Sequence, residues 1–164
     1  WFIKGEQGEF DGAIEAGRTA IKLAPGNGTD AAMFSNALLR AGHFVEGLKE
    51  IRRAIRLSPI CPLWYIVCLG AHHFALSEYG QAAEAFRAFF QRADPDAPNN
   101  SDLRVWLAVS LMGAGLVAEA TDAYRAVVEH YPEFEVDRWG NLAPNDPRVG
   151  QRARQLWKEL AGKQ

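Results

Sequence analysis

Residues 35–44, SNALLRAGHF, followed by Ala54 and Pro59, decide the fold of this chain. Pro59 lies 34 residues after Pro25, and a period of this length is typical of stacked helical hairpins. The same order of aromatic, small and proline residues recurs along the chain at Phe10, Ala13, Ala20 and Pro25, at Phe44, Gly47, Ala54 and Pro59, at Tyr79, Ala82 and Phe86, and at Ala120, Tyr124 and Pro132.

Between these landmarks, apolar residues follow the 3.6-residue period of a helix and not the two-residue period of a strand. We predict a partial repeat at about 1–27, full repeats at 28–61, 62–98 and 99–132, and an extension at 133–164. Thr29 or Asp30 is expected to cap the second helix, which Gly42 ends. The loop 94–100 is longer than the others, so the repeat register slips there. Asp146 and Pro147 predict the start of a final helix that covers the end of the stack.

Size and composition limit the class of protein. The chain has 164 residues, of which 48% are hydrophobic, so it is long and apolar enough to bury a core. Its formal net charge of −2 disfavours nucleic acid as a partner, and the longest apolar stretch, 60–76, is too short to span a bilayer. Cys61 and Cys68, placed on one helix, are expected to stay reduced, as in a cytoplasmic protein.

The landmark residues closely resemble the tetratricopeptide (TPR) repeat, with small, aromatic and proline residues at corresponding places. Gly17 and Gly47 depart from the pattern, since the family prefers larger residues or alanine there. The resemblance covers nearly residues 1–132. It implies an all-α, right-handed superhelical solenoid of TPR hairpins with a C-terminal capping helix, and a non-catalytic role in protein–protein interaction.

A narrower resemblance concerns residues 57–65, 131–139 and 145–147. They are similar to the C-terminal TPR region of bacterial class III adenylate or guanylate cyclases, and also to that of some winged-helix transcriptional regulators. The first likeness implies a regulatory segment whose catalytic domain precedes Trp1. The second leaves a homodimerisation or spacer module of a transcriptional regulator as the alternative.

The TPR resemblance also implies a concave partner-binding groove on the first helix of each hairpin. Its partner would be a protein, a peptide or the parent's own N-terminal domain. Asn36 matches an asparagine that some TPR proteins use to hold a peptide, but the companion basic residues are mostly missing, so we expect an apolar ligand such as an amphipathic helix. The groove positions are Asn36, Leu39 and Arg40, then Trp64, Val67, Ala71 and Phe74, then Val105, Val109 and Met112, with Thr29, Ala32 and Asp102 at further corresponding places.

Catalytic, metal and cofactor sites are not expected. His72 and His73 point about 100° apart on a helix and lack a third ligand at helical spacing, so we expect one packed and one surface histidine. A small-molecule sensor or enzyme using Trp64, Tyr65, His73 and Phe74 remains the remote alternative.

The apolar start of the chain, Trp1-Phe2-Ile3, resembles half of a first hairpin. Two interpretations stay open at this point. Either these residues form an apolar edge through which the chain forms a homodimer, or they mark the boundary of a piece taken from a longer protein.

Overall fold

The computed structural model describes residues 7–93, 101–136 and 146–163. Side chains are described from residue 10 in the first range and from residue 102 in the second. These residues form eight α-helices, and no strand occurs among them. The helices are α1 (Gln7–Leu23), α2 (Gly28–Ala41), α3 (Phe44–Leu57), α4 (Leu63–Ala75), α5 (Tyr79–Arg92), α6 (Ser101–Gly113), α7 (Val117–His130) and α8 (Pro147–Ala161). Trp1-Phe2-Ile3 and the loop 94–100 lie outside the described residues.

The helices pack as consecutive hairpins. Helices α2 and α3, α4 and α5, and α6 and α7 form the three pairs, and each pair packs against the next through α3 on α4 and α5 on α6. Helix α1 packs on α2, where the second helix of a preceding hairpin would lie, and α8 packs on α6 and α7 at the other end. The predicted all-α stack of hairpins with a terminal helix is confirmed.

Turn chemistry sets the ends of the helices. Asn27 caps α2, because its Oδ1 accepts hydrogen bonds from the amides of Thr29 at 2.9 Å and Asp30 at 3.3 Å. The prediction that Thr29 or Asp30 is the cap was therefore wrong. Gly42 ends α2 with φ of 88°, a left-handed conformation that glycine adopts without steric cost.

The buried apolar residues form two clusters. One joins α2 to α5 around Ile51, Tyr65 and Phe89. The other joins α4 to α8 around Phe74, Trp106 and Trp157. Because the second cluster draws residues from α8, the terminal helix belongs to the core of the last hairpin.

The structure explains both glycines that depart from the repeat pattern. A Cβ built on Gly17 would overlap the ring of Phe34, and one built on Gly47 would overlap the imidazole of His72. In each case a large side chain on the neighbouring helix fills the space that the side chain at the glycine position occupies in a typical repeat. The departures are therefore compensated by close packing between helices.

An ion pair between successive second helices occurs at corresponding places in the stack. Arg18 on α1 pairs with Glu46 on α3 at 3.1 Å, and Arg87 on α5 pairs with Glu119 on α7. All four side chains are at least one-third exposed, so each pair contributes only about 0.2–1 kcal/mol.

Candidate partner-binding surface

The first helices of the hairpins contact one another in chain order. Between α2 and α4, the Tyr65 hydroxyl donates to Thr29 Oγ1 at 3.3 Å, and Ser35 Oγ lies 2.9 Å from His72 Nε2. Between α4 and α6, the rings of Phe74 and Trp106 meet edge to face at a centroid distance of 4.9 Å. These contacts place α2, α4 and α6 side by side, as a groove built on first helices requires.

The structure divides the ten predicted groove residues into two sets of five. The first set is buried in the core and is not accessible to a partner; it contains Leu39, Ala71, Phe74, Val105 and Val109. The second set is partly exposed and is called the first-helix surface below; it contains Asn36, Arg40, Trp64, Val67 and Met112. Of the further positions, Ala32 is buried, while Thr29 and Asp102 are exposed.

The buried set is explained by packing between first helices and by α8. Phe74, Val105 and Val109 belong to the same apolar cluster as Leu156 and Trp157 of α8. The sequence predicts a final helix that covers the end of the stack, and this helix, α8, packs on α6, the helix that carries Val105 and Val109. Val105 and Val109 of α6 are therefore part of the core.

The five residues of the first-helix surface lie in three local environments. Asn36 and Arg40 line one groove, and the Arg40 guanidinium lies 5.5 Å from the centroid of the Phe10 ring. Trp64 and Val67 pack at the edge of the cluster that joins α2 to α5. Met112 packs at the edge of the other cluster.

His72 connects three helices within the core. Its Nε2 lies 2.9 Å from Ser35 Oγ on α2, and that hydroxyl donates to the carbonyl of Gly47 on α3 at 2.8 Å. Burial lowers the pKa of His72 from 6.5 to about 4, because desolvation disfavours the imidazolium more than the nearby Ser35 carbonyl favours it. The ring is therefore neutral in the folded protein at pH 7.

His73 is buried as well, so the expectation of one packed and one surface histidine was wrong. Only 4% of His73 is exposed, and its Nδ1 lies 2.6 Å from Glu78 Oε2. Glu78 itself is partly exposed, which lets the pair reach solvent at the turn between α4 and α5. Across the described residues, no group of three or more His, Cys, Asp or Glu side chains could hold a metal ion.

The two cysteines are buried and free. They do not share a helix, because Cys61 precedes α4, which begins at Leu63. Burial raises the pKa of the Cys68 thiol to about 12, so this group remains protonated and unreactive. Among the helices described, none is long and apolar enough to cross a membrane.

Sequence reasoning missed a groove between α1 and α2. It has a volume of about 420 Å³ and is mainly apolar. The lining residues are Phe10, Ala13, Ala16, Gly17 and Ala20 on α1 and Asp30, Met33, Phe34, Asn36, Ala37 and Arg40 on α2. The small residues at 13, 16, 17 and 20 were the available signal, since second helices elsewhere carry larger side chains at some of these places.

Together, the paired helices and their side-by-side first members define a helical-repeat solenoid. Residues 69–133 match the sequence model of the tetratricopeptide repeat. This match and the fold support the tetratricopeptide repeat as the repeating unit of the chain.

Three solved structures of MamA share this fold. A MamA RS-1 ArsTM double mutant is 16% identical, with a TM-score of 0.69 over 96% of this chain and 88% of that one. A crystal structure of MamA is 20% identical, with a TM-score of 0.66 over 96% and 90%, and MamA MSR-1 C2 is 18% identical, with a TM-score of 0.67 over 95% and 89%. At these identities the likeness establishes the fold alone.

A curated relative matches a shorter segment. The protein CTR9 homolog of Arabidopsis thaliana is 29% identical over 100 residues, which cover 58% of this chain. The chain thus spans about a tenth of the length of that relative, since the matched segment is 9% of it.

Proposed function

We propose that the chain is a non-catalytic TPR module that binds a protein or peptide partner on its first-helix surface. The observation that carries this proposal is the partial exposure of Trp64 and Val67 on α4, a helix whose other side chains are mostly buried. Tryptophan is among the residue types enriched at the few positions that supply most of the binding free energy in protein interfaces. Solenoid repeats commonly use one such extended surface for binding.

The chemistry of the surface favours an apolar partner. Ala75 and Gly113, which are partly exposed, stand where a site for an acidic peptide terminus would need polar or basic side chains, and the corresponding Ala71 and Val109 are buried. An amphipathic helix or an extended apolar segment fits this composition better than an acidic tail does.

We also propose a cellular context: the regulatory C-terminal region of a multidomain bacterial adenylate or guanylate cyclase in the cytoplasm. The support is the sequence likeness of 57–65, 131–139 and 145–147 to such cyclases. Residues 137–139 and 145 of these segments lie outside the described residues. The partner of the first-helix surface would then be either the parent's own N-terminal domain or a separate protein.

Binding on the first-helix surface is tested by comparative affinity purification with two substitutions of one chemical type. Val67→Arg adds charge to the surface, whereas Val45→Arg adds it to α3, at a residue that is 73% exposed. We expect a protein from the source cell to be recovered with the unmodified chain and Val45→Arg but lost with Val67→Arg. Equal recovery with all three would contradict the proposed surface.

The cyclase context is tested on the gene product that contains this chain. We expect it to form cyclic AMP or cyclic GMP from the nucleoside triphosphate, and we expect Val67→Arg to change the rate. Absence of both products would exclude the cyclase context and would leave the proposal for the first-helix surface intact.

A further inference from the structure

A groove of about 440 Å³ lies between the second helices α3 and α5 and is called the α3/α5 groove below. Both helices pack on α4, which contributes Leu69 and His73 to the lining. None of the residues of the first-helix surface lines it. The polar side chains along its two sides are Arg52 and Arg56 on α3 and Gln81 and Glu84 on α5.

The repeat spacing relates this groove to the interfaces before and after it. Corresponding residues of the repeat lie 34, 35 and then 38 residues apart along the chain, the last because of the long loop. By these spacings, two positions on successive second helices correspond: Arg18, Arg52 and Arg87 at the first, and Glu46, Gln81 and Glu119 at the second.

Two of the three interfaces carry an ion pair at these positions. Arg18 of α1 pairs with Glu46 of α3 at 3.1 Å, and Arg87 of α5 pairs with Glu119 of α7. In both interfaces, the carboxylate on one second helix binds the guanidinium on the preceding second helix. The ion pair is therefore a repeated feature of the stack.

The interface between α3 and α5 lacks the carboxylate, because Gln81 stands in its place. Within the described residues, no hydrogen bond or ion pair engages the guanidinium of Arg52. The same holds for Arg56, which follows four residues later on the same face of α3. Glu84 also lines the groove but forms an ion pair with neither arginine. Two exposed guanidinium groups are thus left at the groove without an acidic partner.

A second departure from the repeat occurs in the same groove. His73 corresponds to Leu38 and Leu111, which are buried apolar residues on the neighbouring first helices. The Nδ1 atom of His73 lies 2.6 Å from Glu78 Oε2, which orients the ring. The Nε2 atom has no hydrogen-bond partner among the described residues, yet it is not enclosed by protein. His73 therefore presents a polar ring atom where the other hairpins have leucine.

We propose that the α3/α5 groove binds an acidic segment of a partner protein, whose carboxylate replaces the glutamate that is missing at position 81. The carboxylate accepts charge-assisted hydrogen bonds from Arg52 and Arg56. A large apolar side chain beside it packs on Ile55 and Leu69, both of which line the groove and are partly exposed. His73 Nε2 accepts a hydrogen bond from a backbone amide of the segment. This site is separate from the first-helix surface and does not depend on it.

The distribution of charge favours an acidic protein segment over a nucleic acid or an anionic membrane. The chain has a formal net charge of −2, so no broad positive field surrounds the two arginines. Nucleic acids and anionic lipid surfaces are bound largely through such fields. Two guanidinium groups beside an apolar surface instead match a side-chain carboxylate with an apolar neighbour.

The test is an amide chemical-shift titration of the full chain, labelled with ¹⁵N, with the peptide acetyl-Gly-Ser-Glu-Leu-Glu-Ser-Gly-amide. In the control peptide, glutamine replaces both glutamates. We expect the first peptide to shift amides of α3 and α5 and to bind at least tenfold more tightly than the control. Arg52→Gln should weaken its binding at least tenfold.

Gln81→Glu is the decisive variant, because it restores the carboxylate found at the other two interfaces. We expect it to weaken binding of the first peptide at least tenfold, since the new side chain occupies Arg52. Gln91→Glu is the matched control: it makes the same change of charge on α5, at an exposed residue that does not line the groove. Binding to this control should stay within twofold of that to the unmodified chain.

Several results would overturn the proposal. They are no binding of the first peptide, equal binding of both peptides, or equal binding to Gln81→Glu and Gln91→Glu. Inorganic phosphate that shifts the same amides at a lower concentration than the peptide would assign the groove to a phosphate group. A dimer in light scattering that Gln81→Glu dissociates would assign the acidic segment to a second copy. Val67→Arg should leave peptide binding unchanged, which separates this test from that of the proposed function.

Discussion

A cluster of buried contacts connects α2, α3 and α4 through Ser35, Gly47 and His72. Gly47 leaves the space that the His72 ring fills, and the Ser35 hydroxyl bridges the ring and the Gly47 carbonyl. The sequence identified Gly47 as a departure from the repeat, but it did not identify its partner, because His72 lies on a different helix 25 residues later. Contacts between helices depend on side-chain directions that a repeat pattern does not specify.

Gly47→Ala is expected to destabilise the protein by about 1–3 kcal/mol, because the new methyl group would overlap the enclosed His72 ring. Gly12→Ala is the matched control, since a Cβ there would meet no atom within 4 Å. The control should stabilise α1 by about 0.5–1 kcal/mol. Urea denaturation of both variants measures the difference, and equal effects would contradict the assigned contact.

The second prediction at the residue scale concerns pH. The pKa of His72 is about 4 in the folded protein and 6.5 in the unfolded chain, so the unfolded chain binds more protons between these values. The contribution of His72 to stability is fully present above pH 6.5 and declines as the pH falls towards 4. The loss amounts to about 3 kcal/mol.

Urea denaturation at pH 7, 5.5 and 4.5 measures this loss. In His72→Gln, which retains a hydrogen-bonding group but does not titrate, the decline in unfolding free energy should be smaller by the share that His72 contributes. An identical pH dependence in the two proteins would show that His72 is not the responsible group.

At the scale of elements, the start of α8 is stabilised by Asp146 and Pro147. Asp146 accepts a hydrogen bond from the Arg148 amide at 3.1 Å, and Pro147 occupies the first turn. The Arg148 guanidinium beside Asp146 holds the pKa of that carboxyl below its usual value. These residues predicted the start of α8 from sequence, because capping depends on neighbours in the chain.

Asp146→Ala is expected to destabilise the protein by about 1 kcal/mol through loss of the helix cap. Asp122→Ala is the control, because Asp122 lies within α7 and its side chain is 78% exposed. Its effect should stay within about 0.5 kcal/mol. Thermal denaturation followed by circular dichroism compares the two, and a control as harmful as Asp146→Ala would contradict the role of the cap.

The start of α2 was not predicted correctly. Asn27 caps α2 in place of Thr29 or Asp30. Asparagine, serine, threonine and aspartate all suit a cap, so composition alone does not choose among neighbours. The existence and order of helices were predictable because they depend on periods sustained over many residues.

At the scale of the whole molecule, the stack of hairpins followed from the 34-residue spacing, whereas the accessibility of the proposed groove residues did not. Five of the predicted groove residues are partly exposed, and five are in the core. The difference arises from α8 and from contacts between first helices, both of which depend on tertiary packing. The α1/α2 groove escaped prediction for the same reason.

Site-specific photo-crosslinking in the source cell tests most directly whether the first helices bind a partner. Benzoylphenylalanine placed at Val67 on the first-helix surface is compared with the same group at Val45 on α3. We expect a covalent adduct with a defined polypeptide, or with the parent's own N-terminal domain, from position 67 and none from position 45. An adduct from position 45 alone, or none from position 67, would contradict the claim that the first helices of this stack bind the partner.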